Sequence, residues 1–119
     1  MAASKLRRIT YEDVGAVTVV RFLDKKIVDE LNIQTIGDDL MKLVDELGRK
    51  QLLLEFSAVE FLSSAALGKL SSLHDHLADS EGKLVLCSIS KTIMEIFTLT
   101  RLDKLLTIVK DEKTALRSF

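Results

Sequence analysis

The sequence predicts a single α/β domain with a mixed sheet that opens as an antiparallel hairpin and continues as alternating strands and helices. Three observations lead there. The chain has 119 residues, which suits one core of ordinary size, because a chain of this length buries about two thirds of its unfolded surface in a single globule. Two segments near the start are dense in β-branched and aromatic residues and lie within turn distance of each other. From Ile33 onward, apolar residues at three- and four-residue steps alternate with short, nearly continuous apolar runs.

The elements follow in chain order. Leu6 to Tyr11 and Ala16 to Phe22 read as strands, with Glu12, Asp13, Val14 and Gly15 as the hairpin connection. Ile36, Leu40, Leu43, Val44 and Leu47 share one face of a helix, with Asn32 as its cap and Gly48 as its stop. Leu52 to Phe56 is an apolar run expected of a central strand covered on at least one face. Ala66, Leu67, Leu70, Leu73 and Leu77 restore the helical period until Ser80, Glu81 and Gly82 break it. Leu84 to Cys87 is then a strand, Ser90 caps a helix carrying Ile93, Ile96 and Phe97, Leu105 to Val109 is a strand, and Glu112 to Phe119 is a last short helix. Because each crossover helix returns the chain to the same end of the sheet, the later strands should run parallel.

Composition narrows the function classes. The chain is 47% hydrophobic and 29% charged, without Pro or Trp, as in a globular protein that folds unaided. Its formal net charge is -1, with basic residues spread along the chain, so no electrostatic footprint for nucleic acid or a membrane surface is present. No apolar run approaches the ~20 residues that span a bilayer, and Met1 to Lys5 is too short and polar for a signal peptide. The expectation is a cytoplasmic protein without membrane insertion. Cys87 is the single cysteine, which removes intrachain disulfides and zinc spacing and leaves it as buried filler.

Ser63 and Ser64 stand between the third strand and the second long helix, at the end of the sheet where α/β proteins bind their ligands. One serine is explained as an N-cap, whose side-chain oxygen accepts from an otherwise unpaired amide. A second hydroxyl raises another reading, a phosphorylation site, where roughly 1.5 to 2 negative charges would meet free amides and the positive end of the helix dipole. Enzyme readings lack their parts. His74 and His76 flank Asp75 two helical positions apart and point away from each other, so they share no metal, and both read as solvated. Neither a G-x-S-x-G elbow nor a glycine-rich phosphate loop is present. Neither metal nor cofactor is expected.

Phe61, Leu62, Ser63, Ser64, Ala65, Ala66, Leu67, Gly68 resembles the signature of the STAS domain family of anti-sigma factor antagonists, which reads aromatic, apolar, Asp, Ser, Ser or Thr, Gly, Leu, Gly. The stretch LVLCSISKTIMEIFTLTRLDKLLTIV is similar to the carboxyl-terminal half of the same family. The resemblance implies a single STAS-type domain over residues 1–119 and a phosphoacceptor at Ser64. It also implies partners: an anti-sigma factor serine kinase that the unmodified domain docks on, and a serine phosphatase that restores docking after phosphorylation. The implied docking face comprises Leu23, Asp24, Lys25 and Lys26, then Ser63, Ser64, Ala65, Ala66, Leu67 and Gly68, and finally Ser88, Ser90 and Lys91. The signature's aspartate is replaced by Ser63 and its first glycine by Ala66. Asp24 is the nearest acid after the second strand. The rival expectation is a STAS subunit of a transporter or signalling scaffold, bound through the same face without phosphorylation.

Overall fold

A computed structural model describes residues 3–119. Its elements run β1 (Ser4–Lys5), β2 (Ile9–Val14), β3 (Val17–Phe22), β4 (Lys26–Ile27), α1 (Glu30–Asp45), β5 (Gln51–Glu55), β6 (Phe61–Leu62), α2 (Ser64–Asp79), β7 (Lys83–Cys87), α3 (Lys91–Leu99), α4 (Leu102–Leu105), β8 (Thr107–Val109) and α5 (Glu112–Leu116). Six strands form the main sheet in the order β1-β2-β3-β5-β7-β8. The first three are antiparallel neighbours, and β3, β5, β7 and β8 run parallel. The expected α/β class and mixed sheet are therefore present, with β5 at the centre.

Side-chain alternation divides the sheet into two faces. Val20, Leu52, Leu54, Leu84 and Leu86 pack with the apolar stripes of α1, α2 and α3 in the larger core. Val17, Val19, Leu53, Val85 and Cys87 point the other way and are closed over by Ala115 of α5. A strand covered on both faces has no reason to alternate in hydropathy, which is why Leu52, Leu53 and Leu54 read as a continuous run. Burying each such side chain contributes about 1.5–3 kcal/mol.

Several boundaries differ from the expectation for identifiable reasons. The second strand runs on through Glu12, Asp13 and Val14, and only Gly15 and Ala16 turn, with Gly15 at φ 63°. The two acids are held in the ladder because Glu12 meets Arg21 at 3.3 Å and Asp13 accepts from the Thr18 hydroxyl at 2.7 Å. Leu6 lies outside the strands, and β1 precedes it as an unforeseen edge strand. The cap of α1 is Asp29, not Asn32: Asp29 Oδ1 accepts from the Leu31 and Asn32 amides, so Asn32 is a donor within the first turn. Leu105 belongs to α4, entered through Arg101 at φ 62°, and the last strand begins only at Thr107. The final helix stops at Leu116. His76 is not merely solvated, since its Nε2 lies 2.6 Å from Asp45 Oδ1 and ties α2 to α1.

Candidate functional site

Three loops leave the carboxyl ends of the parallel strands: residues 23–29 after β3, 56–63 after β5 and 88–90 after β7. The first two are zipped together. Lys26 pairs with Phe61 and Ile27 with Leu62 in a two-stranded parallel ladder. The Lys25 carbonyl accepts from the Glu60 and Phe61 amides at 2.6 and 3.2 Å, and the Ile27 carbonyl accepts from the Ser63 amide at 3.1 Å. Strand alternation sends Ile27 and Leu62 into the core while Lys26 and Phe61 face out. Val59 and the tilted Phe22–Phe56 ring pair, with centroids 4.8 Å apart, floor these loops. Residues carried on such an anchored ladder hold their positions better than residues on a free loop.

The strand therefore does not lead directly into the second long helix as its sequence position suggested; this detour through β6 intervenes and delivers the chain to Ser63. There the backbone is extended, and the Ser63 hydroxyl accepts from the Ala66 amide at 3.3 Å, which makes Ser63 the N-cap of α2. Ser64 is the first helical residue. Its side chain is exposed, and its hydroxyl has no hydrogen-bond partner among the described residues. The first turn of α2 contains no acidic residue, so the positive end of this helix dipole is not offset by a carboxylate of its own.

The structure brings Leu23 to Lys26 and Ser63 to Gly68 to one face. Leu23, Lys25, Lys26, Ala65 and Gly68 are exposed there, whereas Asp24 is engaged by Arg8 at 2.9 and 3.2 Å. Lys26 Nζ stands over the Phe61 ring, 5.5 Å from its centroid. Ala66 and Leu67 require a correction to the expected docking stretch. They are 4% and 2% exposed and pack in the core, because the helical turn that presents Ser64, Ala65 and Gly68 necessarily turns these two inward. Ser88, Ser90 and Lys91 lie at the same end of the sheet, one strand further along. Their loop is tied to the last strand by the Ser88 amide donating to the Lys110 carbonyl at 3.2 Å, and Ser90 is occupied as the cap of α3. Ser88 holds φ 59°, a conformation that costs energy for a residue with a side chain.

Sequence reasoning missed Val28, Leu31 and Phe61. All three are large and apolar yet exposed, Leu31 at 78% and Phe61 at 52%. With Leu23 they give the face around Ser64 an apolar character. The signal was available for Leu31, which lies out of phase with the Ile33, Ile36, Leu40 stripe of its own helix. Among the described residues, no helix is long and apolar enough to cross a membrane and no three His, Cys, Asp or Glu side chains gather as metal ligands.

The fold is matched by solved structures. An anti-sigma factor antagonist (STAS) domain protein from Planctomyces limnophilus superposes with a TM-score of 0.81 at 20% identity, over 96% of this chain and 98% of that one. The Bacillus cell fate determinant SpoIIAA in its phosphorylated form superposes with a TM-score of 0.70 at 17% identity, over 93% and 99%. In sequence, the chain is 23% identical over 93 residues to a Bordetella bronchiseptica protein named as an anti-sigma factor antagonist, BtrV, covering 78% of this chain and 79% of that relative. The STAS domain family model matches residues 8–115, and the chain belongs to the STAS domain family.

Proposed function

We propose that the chain is an anti-sigma factor antagonist, a binding module without catalysis of its own in a cytoplasmic partner-switching circuit. The unmodified domain docks on an anti-sigma factor serine kinase, phosphorylation of Ser64 releases it, and a serine phosphatase resets it. The observation that carries this reading is the division of labour between the two serines: Ser63 supplies the cap, leaving the Ser64 hydroxyl exposed and uncommitted. Around it lie Leu23, Val28, Leu31 and Phe61, exposed apolar residues that a partner would cover. A phosphoryl group at the first helical position is compatible with the fold, since free amides and the dipole favour an anion there. The same group at an interface disrupts it, because burying an unpaired dianion costs several kcal/mol. The relative named as an antagonist and the phosphorylated form solved for SpoIIAA support the same reading.

A second reading, a fixed subunit of a scaffold or transporter, is favoured by Ser63, which removes the signature carboxylate beside the acceptor. Incubation with the anti-sigma factor kinase and ATP separates the two. The switch predicts one added phosphoryl on wild type, mapped to Ser64 and absent in Ser64→Ala, and weaker kinase binding by Ser64→Asp. No modification under conditions that modify a control substrate, together with unchanged binding by both variants, supports the fixed subunit instead.

A further inference from the structure

The face of the sheet opposite Ser64 is closed by very little. Its cover is α5, a helix of five residues, whose last residue Leu116 packs against the same apolar cluster together with Phe119 beyond it. So short a helix has no stability of its own in water, so what holds it is its contact with β5, β7 and β8 and a few polar ties. Lys83 reaches the Ser118 carbonyl and stands over the Phe119 ring, 5.8 Å from its centroid. A further tie is an ion pair between Arg21 and Glu112 at 2.7 Å.

That ion pair is shared. Arg21 Nη1 lies 2.7 Å from Glu112 Oε1 and also 2.7 Å from Glu55 Oε2, and Nη2 meets Glu12 at 3.3 Å. Three carboxylates thus surround one guanidinium, and the repulsion of Glu112 by the other two offsets part of what Arg21 gives it. Glu55 is the better held, being nearly buried and also accepting from the Ser57 amide and hydroxyl. Arg21 and Glu55 lie at the carboxyl ends of β3 and β5, the two strands whose loops build the Ser64 face, so the same guanidinium that steadies those loops also holds α5.

We propose that residues Glu112–Phe119 form a strap that opens as a unit while the rest of the domain stays folded, with the Arg21–Glu112 pair as its latch. Opening uncovers Val19, Leu53, Val85 and Cys87, an apolar strip on the face away from Ser64. This holds whatever Ser64 does. Cys87 is fully buried beneath the strap and is the single thiol of the chain, so it reports opening directly.

The test is the rate of Cys87 alkylation by iodoacetamide across a urea series, compared with global unfolding followed by circular dichroism on the same protein. A strap predicts that at low urea the opening free energy of Cys87 lies below that of global unfolding and changes little with urea, because little surface is exposed. Glu112→Gln should speed alkylation about threefold, the effect of losing a partly exposed ion pair, with the global midpoint nearly unmoved. Ala115→Glu, which cannot seat a carboxylate under the strap, should label like an exposed thiol while still melting cooperatively. If alkylation of the wild type follows global unfolding in both free energy and urea slope across the whole range, no separate strap exists and the proposal fails, whether or not Ala115→Glu folds.

Discussion

The Ser63 hydroxyl lies 3.3 Å from the Ala66 amide it caps, whereas the adjacent Ser64 hydroxyl is turned to solvent. Two identical side chains one residue apart therefore have separable energetic roles. Ser63→Ala should destabilise the domain by about 1 kcal/mol, the usual cost of losing such a cap. Ser64→Ala should stay within about 0.5 kcal/mol of wild type, as at an exposed position without special contacts. Urea midpoints of the two variants check this, and equal losses would mean that the cap is shared.

How far these roles were legible in the chain depends on the range of the interaction. Period and punctuation were enough for α1, α2, β5 and β7, because a helix stripe or a doubly covered strand is written in residues a few positions apart. The cap at Ser90 could be read for the same reason, as could a capping serine somewhere in the Ser63–Ser64 pair, but which of the two it is depends on the backbone. Asp29 was passed over in favour of Asn32 because both are good capping residues and only the backbone decides which one is extended. The ladder between Lys26–Ile27 and Phe61–Leu62 was not legible at all: two residues have no period, and their partner is distant in sequence. Phe61 was consequently read as part of a motif, not as an exposed apolar residue. The gathering of Glu12, Glu55 and Glu112 on Arg21 likewise exists only once four elements have met.

Gly82 is held by a close approach rather than by an unusual dihedral. A methyl group there would stand 2.5 Å from the Lys50 carbonyl oxygen and 2.8 Å from Leu77 Cδ2. The backbone cannot withdraw, since that carbonyl accepts from the Lys83 amide at 2.8 Å where β5 and β7 begin. Gly82→Ala should cost about 1–3 kcal/mol, as overpacking does, and should appear as a lower urea midpoint with unchanged slope.

Asp111 caps α5 by accepting from the Thr114 amide at 2.8 Å. That hydrogen bond holds its carboxyl below the ordinary value of 3.8, helped by Lys110 and Lys113. A carboxylate with a lowered folded value stabilises the fold above its unfolded value and loses that contribution as the pH falls through the lowered one. The cap should therefore be unchanged between neutral pH and about pH 5 and fade only below the ordinary value. Hydrogen exchange at Thr114, corrected for its intrinsic pH dependence, should lose protection on acidification in wild type, and the loss should be smaller in Asp111→Asn, whose cap does not titrate.

Gly68 sits on the exposed side of α2, one turn beyond Ser64, and a methyl group added to it would meet nothing within 4 Å. Neither a positive φ nor a close neighbour requires glycine there, and glycine within a helix costs about 0.5–1 kcal/mol relative to alanine. The isolated domain should accordingly gain about that much from Gly68→Ala. On the proposed docking face, glycine at this position would leave room for another chain to approach the helix backbone beside Ser64. If the proposed docking face is used, Gly68→Ala should raise the unfolding midpoint and weaken kinase binding together. A stabilised variant that binds with wild-type affinity would place the interface elsewhere on the surface.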